Sequence, residues 1–388
     1  MHEFTDLRGR EAAFPEAEFA ARQGAARAAI AAAGHDALVV TGPETIYWLT
    51  GRQTAGYFAF QALLVPVEGD PALLVRQLEL PGAAANTWLD DIQAYPDGAD
   101  PVEALAALVR RRGLARPALE RDGWFVSPAL AGRIDAALGR GPLPDGSGLL
   151  APLRAVKSAA ELEAIRAAAR YAQAGLAAGL DACAAGTDEN AVAAAMLAAA
   201  TAAGSEAMAM EPLVASGPRS GLPHMTWRRR RLEPGDAVFL ELAGSHARYH
   251  AALMRSVWIG PPPDEASRMM DRALRALDAA LAAIRPGHSC AAPHAAAQAV
   301  IDAAGYGPAF RKRIGYSMGV AFAPDWGEGG LLSLFTGEDR PIEPGMVFHL
   351  PATLRRYGAW TVGASETVIV TASGAEPLSD LPRTLSLR

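Results

Sequence analysis

Lysine is almost absent from this chain. Of its 36 basic residues only Lys157 and Lys312 are lysine, and the rest are arginine. Together with the heavy alanine content, this reads as a coding bias rather than a functional signal. Cysteine is scarce too. Cys183 and Cys290 lie far apart, with no CxxC pair, which excludes a disulfide framework and fits a reducing cytoplasm. No apolar run approaches the length of a membrane span, and the first residues lack the apolar core of a secretion signal. The net charge of −6 favours neither nucleic acid nor a membrane surface. The one basic run, Arg228-Arg229-Arg230-Arg231, precedes a Gly-Asp turn and reads as a solvated loop.

What is present is a soluble globular composition, just over half hydrophobic and a fifth charged, with 388 residues that suggest two domains. An Ala-rich helix over 20–34 precedes a buried strand, Asp36–Val40. Ala62–Val67 and Pro71–Val75 then flank Glu68-Gly69-Asp70 as a hairpin. Residues 1–152 are thus expected to form a small α/β domain.

A second domain is expected over 153–388. Ser158 and Glu161 spell a capping box at the head of a long helix whose apolar face carries Leu162, Ile165, Leu176 and Leu180. A second helix starts at Asp188. A strand hairpin follows, Ala237–Leu242 with Ala251–Ile259. Two more helices, from Asp264 and from Ala291, lead to strands at Met346–Leu350 and Glu366–Thr371. Helix, helix, strand pair occurs twice, which points to an internal duplication.

Several ordered motifs carry a family resemblance. Arg154-Ala-Val-Lys-Ser158 with Glu161–Arg166, Gly235-Asp236-Ala-Val238, Pro344–Phe348 and Ser365–Val370 resemble the pita-bread domain of creatinases, prolidases and aminopeptidase P. The resemblance extends over nearly the whole chain. It implies a mixed α/β (α+β) fold, with a creatinase-like N-terminal domain before a pseudo-two-fold pita-bread domain. The peptidases of that family hold two metal ions with two aspartates, a histidine and two glutamates, a donor set suited to first-row metals. By resemblance these positions match Glu241, Ala252, Tyr316, Pro351 and Glu366 here, so no metal and no other cofactor is expected.

Within the family, Ser216–His224, Phe239–Leu242, Arg248-Tyr-His250, Arg313–Gly319, Pro324-Asp-Trp-Gly-Glu328 and Phe348-His349 resemble the ectoine hydrolases. That implies metal-free opening of a cyclic amidine, ectoine or hydroxyectoine, to an N-acetyl-2,4-diaminobutyrate. The alternatives are a creatinase-like amidinohydrolase, an Xaa-Pro aminopeptidase-type peptidase and an inactive osmolyte-binding protein.

For a zwitterionic or cationic substrate, Glu241 and Glu366 are expected to face each other across the pocket, because two close carboxylates push one pKa up and supply a base beside an acid. His224 is the candidate proton relay. Trp326 is placed to cover the cation, and Arg255 or Arg313 to take the carboxylate. His250, His349 and Tyr316 are further candidates. A homodimer is expected, with Tyr57, Phe58 or Gln61 reaching the partner's site.

Overall fold

The computed structural model describes residues 4–388 and divides them into two units, one ending at Leu153 and the other beginning at Arg154. The first unit carries a five-stranded mixed sheet. Its strands are Ala37–Val40 (β1), Ala62–Pro66 (β2), Ala72–Arg76 (β3), Asp91–Tyr95 (β4) and Pro117–Leu119 (β5), in the order β4-β3-β2-β1-β5. β2 and β3 pair antiparallel around the Glu68-Gly69-Asp70 turn, where Gly69 takes φ +90. The helix predicted over 20–34 spans Glu16–Ala32.

The second unit repeats one pattern twice. Helices Ala159–Ala182 and Glu189–Ala202 are followed by Leu213–Ser216 (β6) and the long hairpin Ala237–His246 (β7) with Tyr249–Trp258 (β8). Helices Asp264–Ala283 and Ala292–Ala303 are followed by Gly315–Ser317 (β9), Ser333–Leu334 (β10) and the hairpin Val347–Arg356 (β11) with Trp360–Thr371 (β12). Gly374–Pro377 (β13) and Ser386–Leu387 (β14) complete the sheets β10-β9-β11-β12-β13 and β14-β8-β7-β6. Ser158 and Glu161 form the predicted capping box, and Asp188 caps the next helix through Ala191 N.

Each long hairpin turns one face to its helix pair and the other to the site, as the two-residue period of a strand requires. On β7, Val238, Leu240 and Leu242 pack with Leu176, Val192 and Met196 of the helices. Phe239 and Glu241 therefore point the other way. On β11, Phe348, Leu350, Ala352 and Leu354 pack with Met269, Ala273 and Leu277, which leaves Pro351, Thr353 and Arg355 on the opposite face. The hairpins are longer than the sequence pattern indicated because both faces are buried, so alternation fades beyond the apolar stretches. Among the described residues, no helix is long and apolar enough to cross a membrane.

Candidate active site

The inward faces of β7, β8 and β11, with the segment ahead of β9, enclose a cavity of about 810 Å³ within the second unit. That is the size of a small-molecule site. Glu241, Met254, Phe239, His224, Tyr316, Lys312 and Arg355 are on its wall. Glu241 pairs in register with Met254 on β8 and Leu213 on β6, so it is fixed in the middle of its sheet. Only 8% of its surface is exposed. Burial raises its carboxyl to about 7 even though Lys312 and Arg355 pull it down. Burial, helped by Arg355, drops the Lys312 ammonium to about 7 while Glu241 pulls it up. Lys312 is half-buried by surface, but its ammonium lies deep in the wall and donates to Pro351 O at 2.6 Å.

His224 lines the same cavity with a left-handed backbone, φ 56, a conformation seldom adopted by residues with a Cβ. Burial lowers its pKa, and Arg355 and Lys312 lower it further, which favours the neutral ring. Tyr316 is held by a chain of hydrogen bonds. Trp326 Nε1 donates to its hydroxyl at 3.1 Å, the hydroxyl bonds His349 Nδ1 at 2.9 Å, and His349 Nε2 bonds Ser365 Oγ at 2.7 Å. Burial drives His349 down to about 3 with help from Lys312, so this ring is neutral too. Arg313 lies over the Tyr316 ring, 5.1 Å from its centroid.

The structure corrects the expected carboxylate pair. Glu366 is fully buried on the helix-packed face of β12, in phase with Val362, Ala364 and Val368. It does not face Glu241. Its Oε1 accepts from Arg255 at 2.9 Å and from Arg383 at 3.1 Å, while Oε2 has no partner. Burial raises its pKa against the pull of both arginines. In the β11–β12 ladder Pro351 pairs with Ser365 and Leu350 with Glu366, so the inward side chain at this point is Ser365.

Four further expectations, for Arg255, His250, Trp326 and His349, change because partners within the fold occupy these side chains. Arg255 cannot take a substrate carboxylate, since all five of its N–H donors are used, on Glu366 and the carbonyls of Pro382, Met254, Ser365 and Leu381. His250 is a core histidine. Its Nε2 accepts from Ala209 N, its Nδ1 bonds Arg248 O, and burial lowers its pKa to about 4. Trp326 and His349 are buried behind Tyr316 and support it. In the first unit Tyr57 packs edge-on against Phe125, Gln61 is buried, and Phe58 is 81% exposed.

Sequence reasoning missed Lys312 and Arg355 as site residues. Both lysines of the chain serve buried ionic positions. Lys157 Nζ donates to Glu328 Oε2 at 2.9 Å, beside Arg154 to Oε1 at 2.7 Å, which anchors the Pro-Asp-Trp-Gly-Glu loop. The rarity of lysine was therefore a usable signal. Lysine tolerates a lowered pKa in a buried site far better than arginine does.

The second unit is a hydrolase fold built from two halves of like element order around a partly open cavity with a mixed polar and apolar lining. The chain belongs to metallopeptidase family M24, which matches residues 163–372, and residues 22–156 match the creatinase/prolidase N-terminal domain. It is 28% identical over 395 residues to an ectoine hydrolase of Halomonas elongata, covering 97% of this chain and 98% of that one. It is 30% identical over 373 residues to a probable dipeptidase, PepE, of Mycobacterium tuberculosis, covering 95% and 96%. Among solved structures, dipeptidase PepE from Mycobacterium ulcerans superposes with a TM-score of 0.82 at 29% identity, over 96% of this chain and 99% of that chain.

The metal pair that the family name implies does not fit these residues. The matched positions present Glu241, Ala252, Tyr316 and Pro351, and the inward residue beside Pro351 is Ser365. Among the described residues no three His, Cys, Asp or Glu side chains converge as a ligand set. One carboxylate facing a lysine and an arginine is a poor site for a divalent cation.

Proposed function

We propose that this protein is a metal-independent C–N hydrolase that opens a small cyclic amidine of the ectoine type. One observation carries the reading: Glu241, raised by burial to about 7, is the one carboxylate on the inner faces of the long hairpins and shares the cavity wall with Lys312 and Arg355, while Ala252, Tyr316 and Pro351 stand at the matched ligand positions. The similarity to the Halomonas ectoine hydrolase over nearly the full chain supports the substrate class.

The chemistry follows from the charges. An amidinium carbon is already electrophilic, so water can attack it without a Lewis acid. Glu241 holds the amidinium through its N–H groups and accepts a proton from the attacking water. The new C–O bond makes a tetrahedral carbon. The ring C–N bond breaks with its electron pair on nitrogen, and His224, neutral before and after, passes to that nitrogen the proton that Glu241 took from water. The regenerated Glu241 carboxylate then takes the hydroxyl proton as the amide carbonyl forms, and that proton also passes to the departing amine, which leaves as ammonium. Amidinium plus water thus becomes amide plus ammonium, balanced in atoms and charge. Tyr316, fixed by His349 and Trp326, closes the wall behind the substrate.

The similarity to PepE favours a second reading, cleavage of a dipeptide. The two separate in one experiment. Protein incubated with ectoine, or with an Xaa-Pro dipeptide, is followed by proton NMR. Loss of the ectoine ring C–H signals with growth of an N-acetyl methyl signal is expected. Dipeptide cleavage with ectoine untouched would overturn the proposal.

A further inference from the structure

We propose that Lys312 and Arg355 form a clamp for a substrate carboxylate beside Glu241, so that this site takes small amidines or amides carrying a carboxylate and rejects those without one. The proposal rests on the reading of this cavity as the hydrolytic site and names the feature by which its substrate is selected.

Among the described residues, Lys312 and Arg355 have no carboxylate within ion-pair distance. Lys312 spends one of its three donors on Pro351 O, and no other hydrogen bond holds its ammonium. Arg355 makes a single long side-chain bond, 3.3 Å to Thr353 Oγ1, and its Nε is buried without a partner. Burial lowers the pKa of both groups. Charges taken out of water are nearly always paired, because leaving them unpaired is costly. Glu241 is the one carboxylate that both cations feel, and it cannot neutralise two of them. The other acid on the wall, Glu338, is already bound by Arg340 at 2.8 and 2.9 Å. The cavity wall is therefore short of anions at its buried end, where Glu241 is the one carboxylate beside two cations.

Substrate supplies an anion there. A carboxylate bridging Lys312 and Arg355 would leave the cationic end of the same molecule for Glu241, so a zwitterion is read at both ends. Arg311 and Arg313, exposed on the same wall, add positive potential that draws anions inward. The arrangement also explains a lysine at position 312 in a chain that otherwise uses arginine. The compact ammonium reaches Pro351 O and leaves room for a ligand.

The test uses purified full-length protein and three probes by isothermal titration: succinate, which has carboxylates only, acetamidine, which has the amidine only, and ectoine. Succinate is expected to bind, and more weakly as salt rises from about 0.05 to about 0.5 M. Acetamidine is expected to bind at least about 30-fold more weakly than ectoine. Lys312→Met and Arg355→Met should each weaken succinate and ectoine by at least about 30-fold. The thermal melt of each variant is measured alongside, and binding is compared only where the cooperative unfolding transition is retained, so loss of binding will not reflect loss of fold. Acetamidine binding as tightly as ectoine, or succinate affinity unchanged in folded Lys312→Met, would overturn the clamp. Should Lys312→Met unfold, Arg355→Met decides by the same criterion. Succinate binding without ectoine turnover would leave the clamp standing and remove the ectoine reading instead.

Discussion

Pro351 and Ser365 pair in register on the inward side of the β11–β12 ladder, one residue out of phase with Leu350 and Glu366 on the helix side. That single-residue phase decides which side chain points to the cavity side of the sheet and which to the helices. It removes Glu366 from the site and leaves Glu241 as the only carboxylate on the inner faces of the long hairpins.

Glu241→Gln and Glu366→Gln should therefore behave differently. Glu241→Gln keeps the shape and removes the base, so kcat should fall by about two to four powers of ten with the melting temperature nearly unchanged. Glu366→Gln leaves Arg255 and Arg383 without their carboxylate and should cost about 3 kcal/mol or more of stability by chemical denaturation. Equal kcat losses at unchanged stability would contradict this division.

Activity should peak near neutral pH. Below about 7 Glu241 takes up a proton and loses its function as base. Above about 7 Lys312 loses its proton and its hold on the carboxylate. The two apparent pKa values belong to the pair. Lys312→Arg keeps the cation charged at high pH, so the alkaline limb of the kcat/KM profile should move up by more than one pH unit while the acid limb stays. An unmoved alkaline limb would show that Lys312 does not titrate in the working range.

Chelation should leave turnover unchanged, and added manganese or zinc should not raise it. The motivation is Ala252, Tyr316 and Pro351 at the matched ligand positions, with Ser365 inward beside them. Two metals per chain by elemental analysis, lost together with activity on dialysis against chelator, would contradict it.

The Lys157–Glu328–Arg154 cluster should be structural. Burial alone would raise the Glu328 pKa, but Lys157 and Arg154 outweigh it and hold the carboxyl below its ordinary value. A depressed carboxyl adds stability above its unfolded pKa, and that stability is lost as pH falls through its lower folded value. Lys157→Met should cost about 3–5 kcal/mol in urea melts at pH 7, and the cost should shrink as pH falls below the ordinary carboxylate range. A pH-independent loss would point to packing instead.

Light scattering should report a homodimer. The 81% exposed Phe58 of the aromatic loop is the side chain available to reach a partner. Phe58→Ser should weaken the dimer or lower ectoine turnover, with the unfolding transition retained. A fully active wild-type monomer would rule this out.

The sequence by itself determined the fold. The capping box at Ser158, the helix start at Asp188, the Gly69 turn and the twice-repeated order of helices and strands are local signals, and local chemistry fixes them. It also determined that the metal ligands are mostly replaced, because Ala252 and Pro351 cannot coordinate through their side chains in any fold. Tertiary structure decided the rest. Whether Glu366 or Ser365 points inward depends on strand phase, and a one-residue slip exchanges the two faces. Arg255 and His250 looked available in sequence, but their donors and acceptors are consumed by partners as distant as Pro382 and Ala209. Lys312 and Arg355 lie 43 residues apart and became one feature only when β11 brought Pro351 and Arg355 beside the segment before β9. A charge is read as paired or unpaired only once the fold has chosen its neighbours.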